Sequence, residues 1–333
     1  MLAHHQPLSA EDAAAAFGVI MRGEATAVQI AAMLAGLRVK GETAEIVAGV
    51  VRALREVMIR LPVDDPGDLV DTCGTGGGAV PTFNISTAAA FVAAGAGVRV
   101  AKHGNRSFTS RCGSADVLEA LGVAIESTLP VMARALDSAG IVFMYAPLMH
   151  PAMRHVGPIR RELGIPTVMN IVGPLANPAG ATRQVVGVAD SYRVPILAGA
   201  LAELGSVHAM VVHGEPGLDE ISPLGITRVV EIRGGSMSEW TIDPADYGLA
   251  ATDQAELAGG DPADNARIIT AILQGGGTVA ARAAVILNAA AAIHVSGKVR
   301  DFTDGVSAAR LALDEGKGWA ALEKLRAACS PAS

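Results

Sequence analysis

Apolar residues recur along this chain in two rhythms, and the change between them falls near residue 62. Before it the spacing is helical. Ser9 and Asp12 form a capping pair ahead of "AAAAFGVIM". "AVQIAAMLAGLRV" carries apolar residues on most of its faces; Gly41 stops it, and Thr43 caps "AEIVAGVVRALREVMIRL". These helices have no strands of their own to cover. They are expected to pack together and against another subunit.

"PVDDPGD", Pro62 to Asp68, is a polar linker with two prolines and marks a domain boundary. After it, short apolar runs bounded by Gly and polar residues alternate with helical stretches. "DLVDTC", "VRVAKH", "IVFMYA", "RQVVGVA", "HAMVVHG" and "RVVEIR" read as strands, and "TAAAFVAAGAG" and "SADVLEALG" as helices. That alternation predicts βαβ units and a mainly parallel sheet. "SEWTID" fits a late antiparallel strand, and the tail from Ala263 returns to helices. There is no internal repeat and no low-complexity segment.

Composition narrows the picture. Half the residues are hydrophobic, 18% are charged and only 3% are aromatic, so Ala, Val, Leu and Ile must fill a large interior. A net charge of -7 argues against nucleic-acid binding. Cys73, Cys112 and Cys329 have no metal-ligand spacing and read as reduced thiols of a cytoplasmic protein, the first two as small packing residues. "MLAHHQPLSAEDA" lacks the basic-then-apolar order of a signal peptide. "AAVILNAAAAIHV", broken by Asn288 and His294, is too short to span a bilayer and reads as a buried helix. His4, His5, His155, His208 and His294 read as structural or solvated, and Met144, Met149, Met153 and Met169 as core.

Candidate chemistry gathers at three strand ends, where ligands bind in parallel α/β sheets. The first is "DTCGTGGGAVPTFNIST". Its glycines from Gly74 to Gly78 let backbone N–H groups approach an anion, and the following helix start, with Ser86 and Thr87, adds donors. It is neither GxGxxG nor GK[ST], so the run fits a phosphate cradle or an ordinary glycine turn. The second, "KHGNRSFTSRCGSADVLEALG", crowds Lys102, His103, Asn105, Arg106, Ser107 and Arg111 together. The third, "VVHGEPGLDEIS", carries adjacent Asp219 and Glu220. Beside two anion loops they read better as Mg²⁺ ligands than as a surface acidic pair.

"GTGG", "TFNIST", "KHGNR", "GSADVLEALG", "HPAM", "NIVGPLANPAG", "HGEPGLDE" and "LNAAAA" occur in an order that resembles the anthranilate phosphoribosyltransferases of tryptophan biosynthesis. The resemblance runs from the first helices, including "KGET", to near the C-terminus. It implies an α/β fold with a small all-helical domain, similar to nucleoside phosphorylase II. The helical domain would span 1–65, joined by about 150–180; 69–149 and 181–333 would form the larger α/β domain with the mainly parallel sheet. It also implies a homodimer formed through the helical domains. The implied activity is transfer of the phosphoribosyl group from phosphoribosyl pyrophosphate to the amine of anthranilate, with Mg²⁺ as cofactor.

Carried over by motif, Gly74, Thr75, Gly76, Gly77, Thr82, Asn84, Ser86, Thr87, Lys102 and Ser114 would bind phosphoribosyl pyrophosphate. Ser86, Asp219 and Glu220 would hold the metal. Gly74, His103, Asn105, His150, Arg160, Gly173 and Pro174 would line the anthranilate path, with Arg160 facing the carboxylate. Two positions depart from the family. Gly78 stands where an Asp is usual, and Pro166-Thr167 where Arg-Thr is usual. The first is expected to alter metal binding and the second hinge packing. A nucleoside phosphorylase on the same architecture and a catalytically silent nucleic-acid-binding paralogue are the alternatives.

Overall fold

The computed structural model describes residues 2–4, 6–107 and 111–330. Three helices come first: α1 (Ala10–Met21), α2 (Ala27–Lys40) and α3 (Ala44–Val57). Ser9 Oγ accepts from the Asp12 N–H at 3.1 Å and Asp12 accepts from the Ser9 N–H at 3.1 Å, closing the expected capping box. Thr26 and Gln29 close a second box on α2, absent from the sequence reading. Gly41 ends α2 at φ 91°, and Thr43 caps α3.

The strands β1 (Val70–Gly74), β2 (Val100–Gly104), β3 (Ile141–Tyr145), β4 (Arg183–Gly187), β5 (His208–Gly214), β6 (Thr227–Arg233) and β7 (Ser236–Ile242) form one sheet. Its order is β3-β2-β1-β4-β5-β6-β7. Strands β1 to β5 are parallel, and β6 and β7 are antiparallel. Gly234 and Gly235, both at positive φ, turn β6 directly into β7. From β1 the chain builds outward through β2 and β3, then returns to add β4 and β5 on the other side. The change of direction therefore lies between β1 and β4, where ligands of such sheets bind.

The remaining helices are α4 (Ile85–Gly95), α5 (Ser114–Ala120), α6 (Leu129–Ala139), α7 (Ala146–Met149), α8 (Gly157–Leu163), α9 (Val194–Glu203), α10 (Pro262–Leu273), α11 (Val279–Val295), α12 (Phe302–Asp314) and α13 (Lys317–Cys329). On one sheet face α4 and α10 to α13 share a core that includes Phe91, Ile269, Leu287 and Leu322. On the other, Leu197 and Leu201 of α9 join Phe17 of α1, Val50 of α3 and Val168 and Val172 in a second core. The N-terminal helices thus pack on one another and, through α3, share a core with α9. A smaller core under α6 gathers Leu61, Leu69, Met132, Leu136 and Met144. Met149 and Met169 are also buried, Met153 is half-buried, and Cys73, Cys112 and Cys329 form no disulfide. No helix of the described residues is long and apolar enough to cross a membrane.

Glu231 of β6 fastens α11 to the sheet. Its Oε1 faces His208 Nε2 at 2.7 Å and His294 Nε2 at 2.9 Å, and its Oε2 accepts from Trp240 Nε1 at 2.8 Å. Burial opposes the charge, but the two histidine contacts outweigh it and hold the carboxyl well below its usual range. The three donor atoms lie within 4.8 Å of one another, close enough for an ion. Three hydrogen-bonded neighbours already satisfy the carboxylate, so the cluster reads as structural. A group with a depressed pKa stabilises the fold above its unfolded value, and that stability is lost as pH falls through the folded value. Glu231→Ala should cost about 1–3 kcal/mol in urea denaturation at pH 7. The difference from wild type should shrink in acid, below the ordinary carboxylate range.

Candidate active site

Gly74 ends β1 and pairs with Gly187 at the end of β4. The loop after β5 folds back across both. A Cβ on Gly187 would lie 1.7 Å from the Asp219 carbonyl oxygen, and one on Gly74 would lie 2.6 Å from Asp219 Oδ2. Only glycine at both strand ends lets Asp219 lie over the switch point. Gly76 at φ 69° and Gly77 at φ 80° then carry the chain through left-handed backbone. The Gly76 N–H donates to Asp219 Oδ2 at 2.8 Å. Thr75 is tied to β4: its N–H donates to the Gly187 carbonyl at 2.9 Å, and its Oγ1 accepts from the Ala189 N–H at 3.2 Å.

Glu220 reaches the next element. Its Oε1 accepts from the Ser86 N–H at 3.0 Å, in the first turn of α4, where unsatisfied N–H groups favour an anion. Asn84, which precedes α4, does not cap it through its side chain. It bridges instead, donating to the Cys112 carbonyl at 3.2 Å and accepting from Asn265 Nδ2 at 2.9 Å. Thr82 is half-buried, and Thr87 is buried with no partner for its hydroxyl among the described residues. Lys102 lies beneath, 3% exposed. Its Nζ donates to the Thr72 carbonyl at 2.5 Å and to Ser86 Oγ at 3.3 Å.

Burial raises the pKa of Asp219. It pushes Glu220 up to about 8, helped by the neighbouring Asp219 charge and opposed by Lys102. Two adjacent, half-buried acids whose ionisation is opposed by desolvation, beside the Ser86 hydroxyl, form an all-oxygen donor set. That chemistry fits a hard divalent cation such as Mg²⁺. Asn288 of α11 holds the loop in place: its Oδ1 accepts from the Ile221 N–H at 2.9 Å and its Nδ2 donates to the Ile221 carbonyl at 2.9 Å.

A second set of groups gathers at the ends of β2 and β3. The rings of His103 and His150 stand 4.9 Å apart, tilted by 56°. Burial, then mutual repulsion, lowers His103 to about 3, and burial lowers His150 to about 4, so both are neutral at physiological pH. The Gly173 and Ala176 carbonyls act in the opposite sense on the two rings. His103 Nε2 and both ring nitrogens of His150 lack hydrogen-bond partners among the described residues. Gly173 and Pro174 form a short 3-10 turn, and the Pro174 carbonyl accepts from Gln184 Nε2 at 2.9 Å. Arg160 of α8 is half-buried and its guanidinium closes no ion pair or hydrogen bond among the described residues, whereas Arg154 and Arg161 are exposed.

The rest of the second loop is largely structural. Asn105 Oδ1 accepts from the Arg106 N–H at 2.8 Å, and Ser114 Oγ donates to the Asn105 carbonyl at 3.3 Å. Arg106 is taken up by Asp116 and Glu119, both at 2.9 Å. Phe108 to Ser110 lie outside the described residues, as does His5. Gly78 is not left-handed, so an L residue would meet no backbone strain there. Its Cβ would instead meet the Gly217 carbonyl at 3.0 Å and Asp219 Oδ1 at 3.4 Å. Near Pro166, the Thr167 N–H donates to Asn170 Oδ1 at 2.9 Å and closes a local cap.

The α/β-domain model of the glycosyl transferase family matches residues 66–319, and the family's helical-bundle model matches residues 1–58. An anthranilate phosphoribosyltransferase from Anaeromyxobacter sp. (strain K) is 51% identical over 323 residues, covering 96% of this chain and 94% of its own length. The chain belongs to the anthranilate phosphoribosyltransferase family. A member from Rubrobacter xylanophilus is 50% identical, covering 96% and 93%. The crystal structure of the anthranilate phosphoribosyltransferase from Thermus thermophilus superposes with a TM-score of 0.93 at 40% identity, covering 98% of each chain. The enzyme from Saccharomyces cerevisiae, in complex with PRPP and Mg, superposes at 0.87 and 28%, covering 97% and 93%.

Against this anthranilate phosphoribosyltransferase fold, the sequence reading missed four polar residues that fix the site. Asn288 was visible as the lone amide in an apolar helix, and Asn177 as part of "GPLANPAG". Asp71 and Asn265 carried no signal, because their partners lie far away in the chain. The strand-end glycines yield a direct test. Gly187→Ala should push the Asp219 loop away and cost about 1–3 kcal/mol of stability in urea denaturation. An unchanged midpoint would mean that the loop does not press on β4.

Proposed function

We propose that this chain transfers the 5-phosphoribosyl group of phosphoribosyl pyrophosphate to the amine of anthranilate, giving N-(5-phosphoribosyl)anthranilate and pyrophosphate. The observation that carries this reading is the pairing of two unlike sites on one sheet edge. One is a cradle whose Gly76 and Ser86 N–H groups bind anionic oxygens, here those of Asp219 and Glu220. The other is a pair of neutral histidines, 4.9 Å apart, whose His103 Nε2 and His150 ring nitrogens lack partners among the described residues, an arrangement suited to a flat aromatic acid. Relatives named for this activity over 96% of the chain support it.

The chemistry suits such a site. An arylamine is neutral at pH 7, its lone pair shared with the ring, and needs no strong base before attack. The demanding event is departure of pyrophosphate as positive charge develops on the ribose. Gly74 to Gly77, Asn84, Ser86, Thr87 and the helix start would orient the diphosphate, with Lys102 beneath as a fixed positive charge and Thr82 and Ser114 at the margins. Asp219, Glu220 and Ser86 would hold Mg²⁺, which when bound neutralises charge on the leaving diphosphate. His103, Asn105, His150, Gly173 and Pro174 would enclose the acceptor ring, and the free guanidinium of Arg160 would meet its carboxylate. No covalent enzyme intermediate is required.

We assign residues 1–65 with about 150–180 to one domain and 69–149 with 181–333 to the other, with the substrates in the cleft between them. We also assign a cytoplasmic homodimer. Val28 and Val39 of α2 are 78% and 89% exposed, an apolar face that a second subunit would cover. Free thiols fit a reducing compartment. Light scattering reads the mass directly, and a monomer would refute the dimer.

Anthranilate fluorescence should fall when the chain is mixed with phosphoribosyl pyrophosphate and Mg²⁺. A nucleoside phosphorylase or a silent paralogue would leave it unchanged. Asp219→Asn with Glu220→Gln should lower turnover at least about 100-fold while the circular dichroism spectrum is retained. Near-normal turnover at ordinary Mg²⁺ would remove the metal role. Arg160→Ala should raise the KM for anthranilate about 10- to 100-fold, the loss of a charge-assisted hydrogen bond, and change that for phosphoribosyl pyrophosphate far less. Equal effects on both substrates would make Arg160 structural.

A further inference from the structure

Asp71 is a fully buried carboxylate on β1, three residues before the glycine run, and the proposed chemistry gives it no task. Its Oδ1 accepts from the backbone N–H of His103 on β2 at 3.2 Å. Its Oδ2 accepts from Asn177 Nδ2 at 2.7 Å. Asn177 is itself fully committed: Nδ2 also donates to the Ala101 carbonyl at 2.8 Å, and Oδ1 accepts from the Ala179 N–H at 2.9 Å. One carboxylate and one amide therefore join three separate pieces of chain: the start of β1, β2 at Ala101 and His103, and the segment from Gly173 to Ala179.

The cost of this arrangement is visible. Burial pushes Asp71 up to about 6, against the Asn177 hydrogen bond, the Lys102 charge and the His103 N–H. An apolar pair of similar volume would avoid that cost. What such a pair could not do is fix direction. Hydrogen bonds from Asp71 and Asn177 determine how far the 173–179 segment sits from β2, and hence where His103 stands relative to Gly173 and Pro174.

We propose that Asp71 and Asn177 are positioning residues, a buried clasp that sets the acceptor side of the site by holding His103 and the 173–179 segment in register. The proposal rests on the reading of His103, Gly173 and Pro174 as the anthranilate path. The clasp touches the acceptor side through two hydrogen-bonded routes, so its loss should be felt there first.

The test is steady-state kinetics on full-length chains, with fold checked by near-ultraviolet circular dichroism. Asp71→Asn leaves an acceptor for the His103 N–H but turns an amide donor toward the Asn177 donor. The KM for anthranilate should rise about tenfold or more, while that for phosphoribosyl pyrophosphate stays within about threefold. Exchanging the pair, Asp71→Asn with Asn177→Asp, restores a donor facing an acceptor and keeps the Ala179 contact, while losing the bond to the Ala101 carbonyl. It should recover part of the lost anthranilate affinity. If Asp71→Asn does not fold, Asn177→Ser should show the same selective rise in smaller measure. Equal changes in both KM values, or none, in the variant that folds would overturn the clasp. Failure of the wild type to consume anthranilate would instead overturn the acceptor reading, and the clasp with it.

Discussion

Asp219 and Glu220 are neighbouring, half-buried carboxylates set against the ends of parallel strands, and much of the surrounding structure answers the cost of putting two charges there. Glycines at the ends of β1 and β4 clear space for the loop. The Gly76 N–H and the first turn of α4 supply donors, Lys102 supplies a buried positive charge, and Asn288 grips the next peptide from both sides. Each contribution comes from a different part of the chain. Together they make the switch point of the sheet a place where negative charge is tolerated but incompletely compensated, as a site for a cation and a polyanion requires.

The acceptor side follows a different logic. His103 and His150 are kept neutral by burial, His103 also by His150, and the ring nitrogens without partners among the described residues offer polarity without charge. Such a wall suits an uncharged amine on an aromatic ring. The same β2 carries Lys102 toward one site and His103 toward the other, because successive strand residues point to opposite faces. The two proposed subsites are thus one residue apart in sequence, on opposite faces of β2.

The two cores explain how rigid that frame is. Helices α4 and α11, rich in alanine, lie close on one face, while α9 covers the other and in turn receives α1 and α3. Because the N-terminal helices share their core with α9, movement between the two parts of the chain must work against apolar packing there. The segment from His150 to Ala179 adds Val156, Val168, Ile171, Val172 and Leu175 to that second core and is tied to both parts by hydrogen bonds from Arg55, Asn177 and Gln184.

Local chemistry was legible in the sequence. Capping pairs, the apolar strand runs and the alternation that makes a parallel sheet all depend on neighbours within a few residues. The glycine run before a helix start, and the paired acids after a strand, marked two strand ends for the same reason. The family motifs then named residues that the pattern alone left open. Tertiary structure decided the rest. It put Asp219 over Gly74 and Gly187, turned Asn84 away from its own helix toward Asn265, spent Arg106 on Asp116 and Glu119, and brought Asn177 to Asp71. It also merged the N-terminal helices with α9, where the apolar pattern had suggested a self-contained unit. A residue's propensity is fixed by its own backbone and immediate neighbours, so sequence determines it. A buried polar partner is chosen by chain crossings more than a hundred residues apart, and only the folded geometry specifies those.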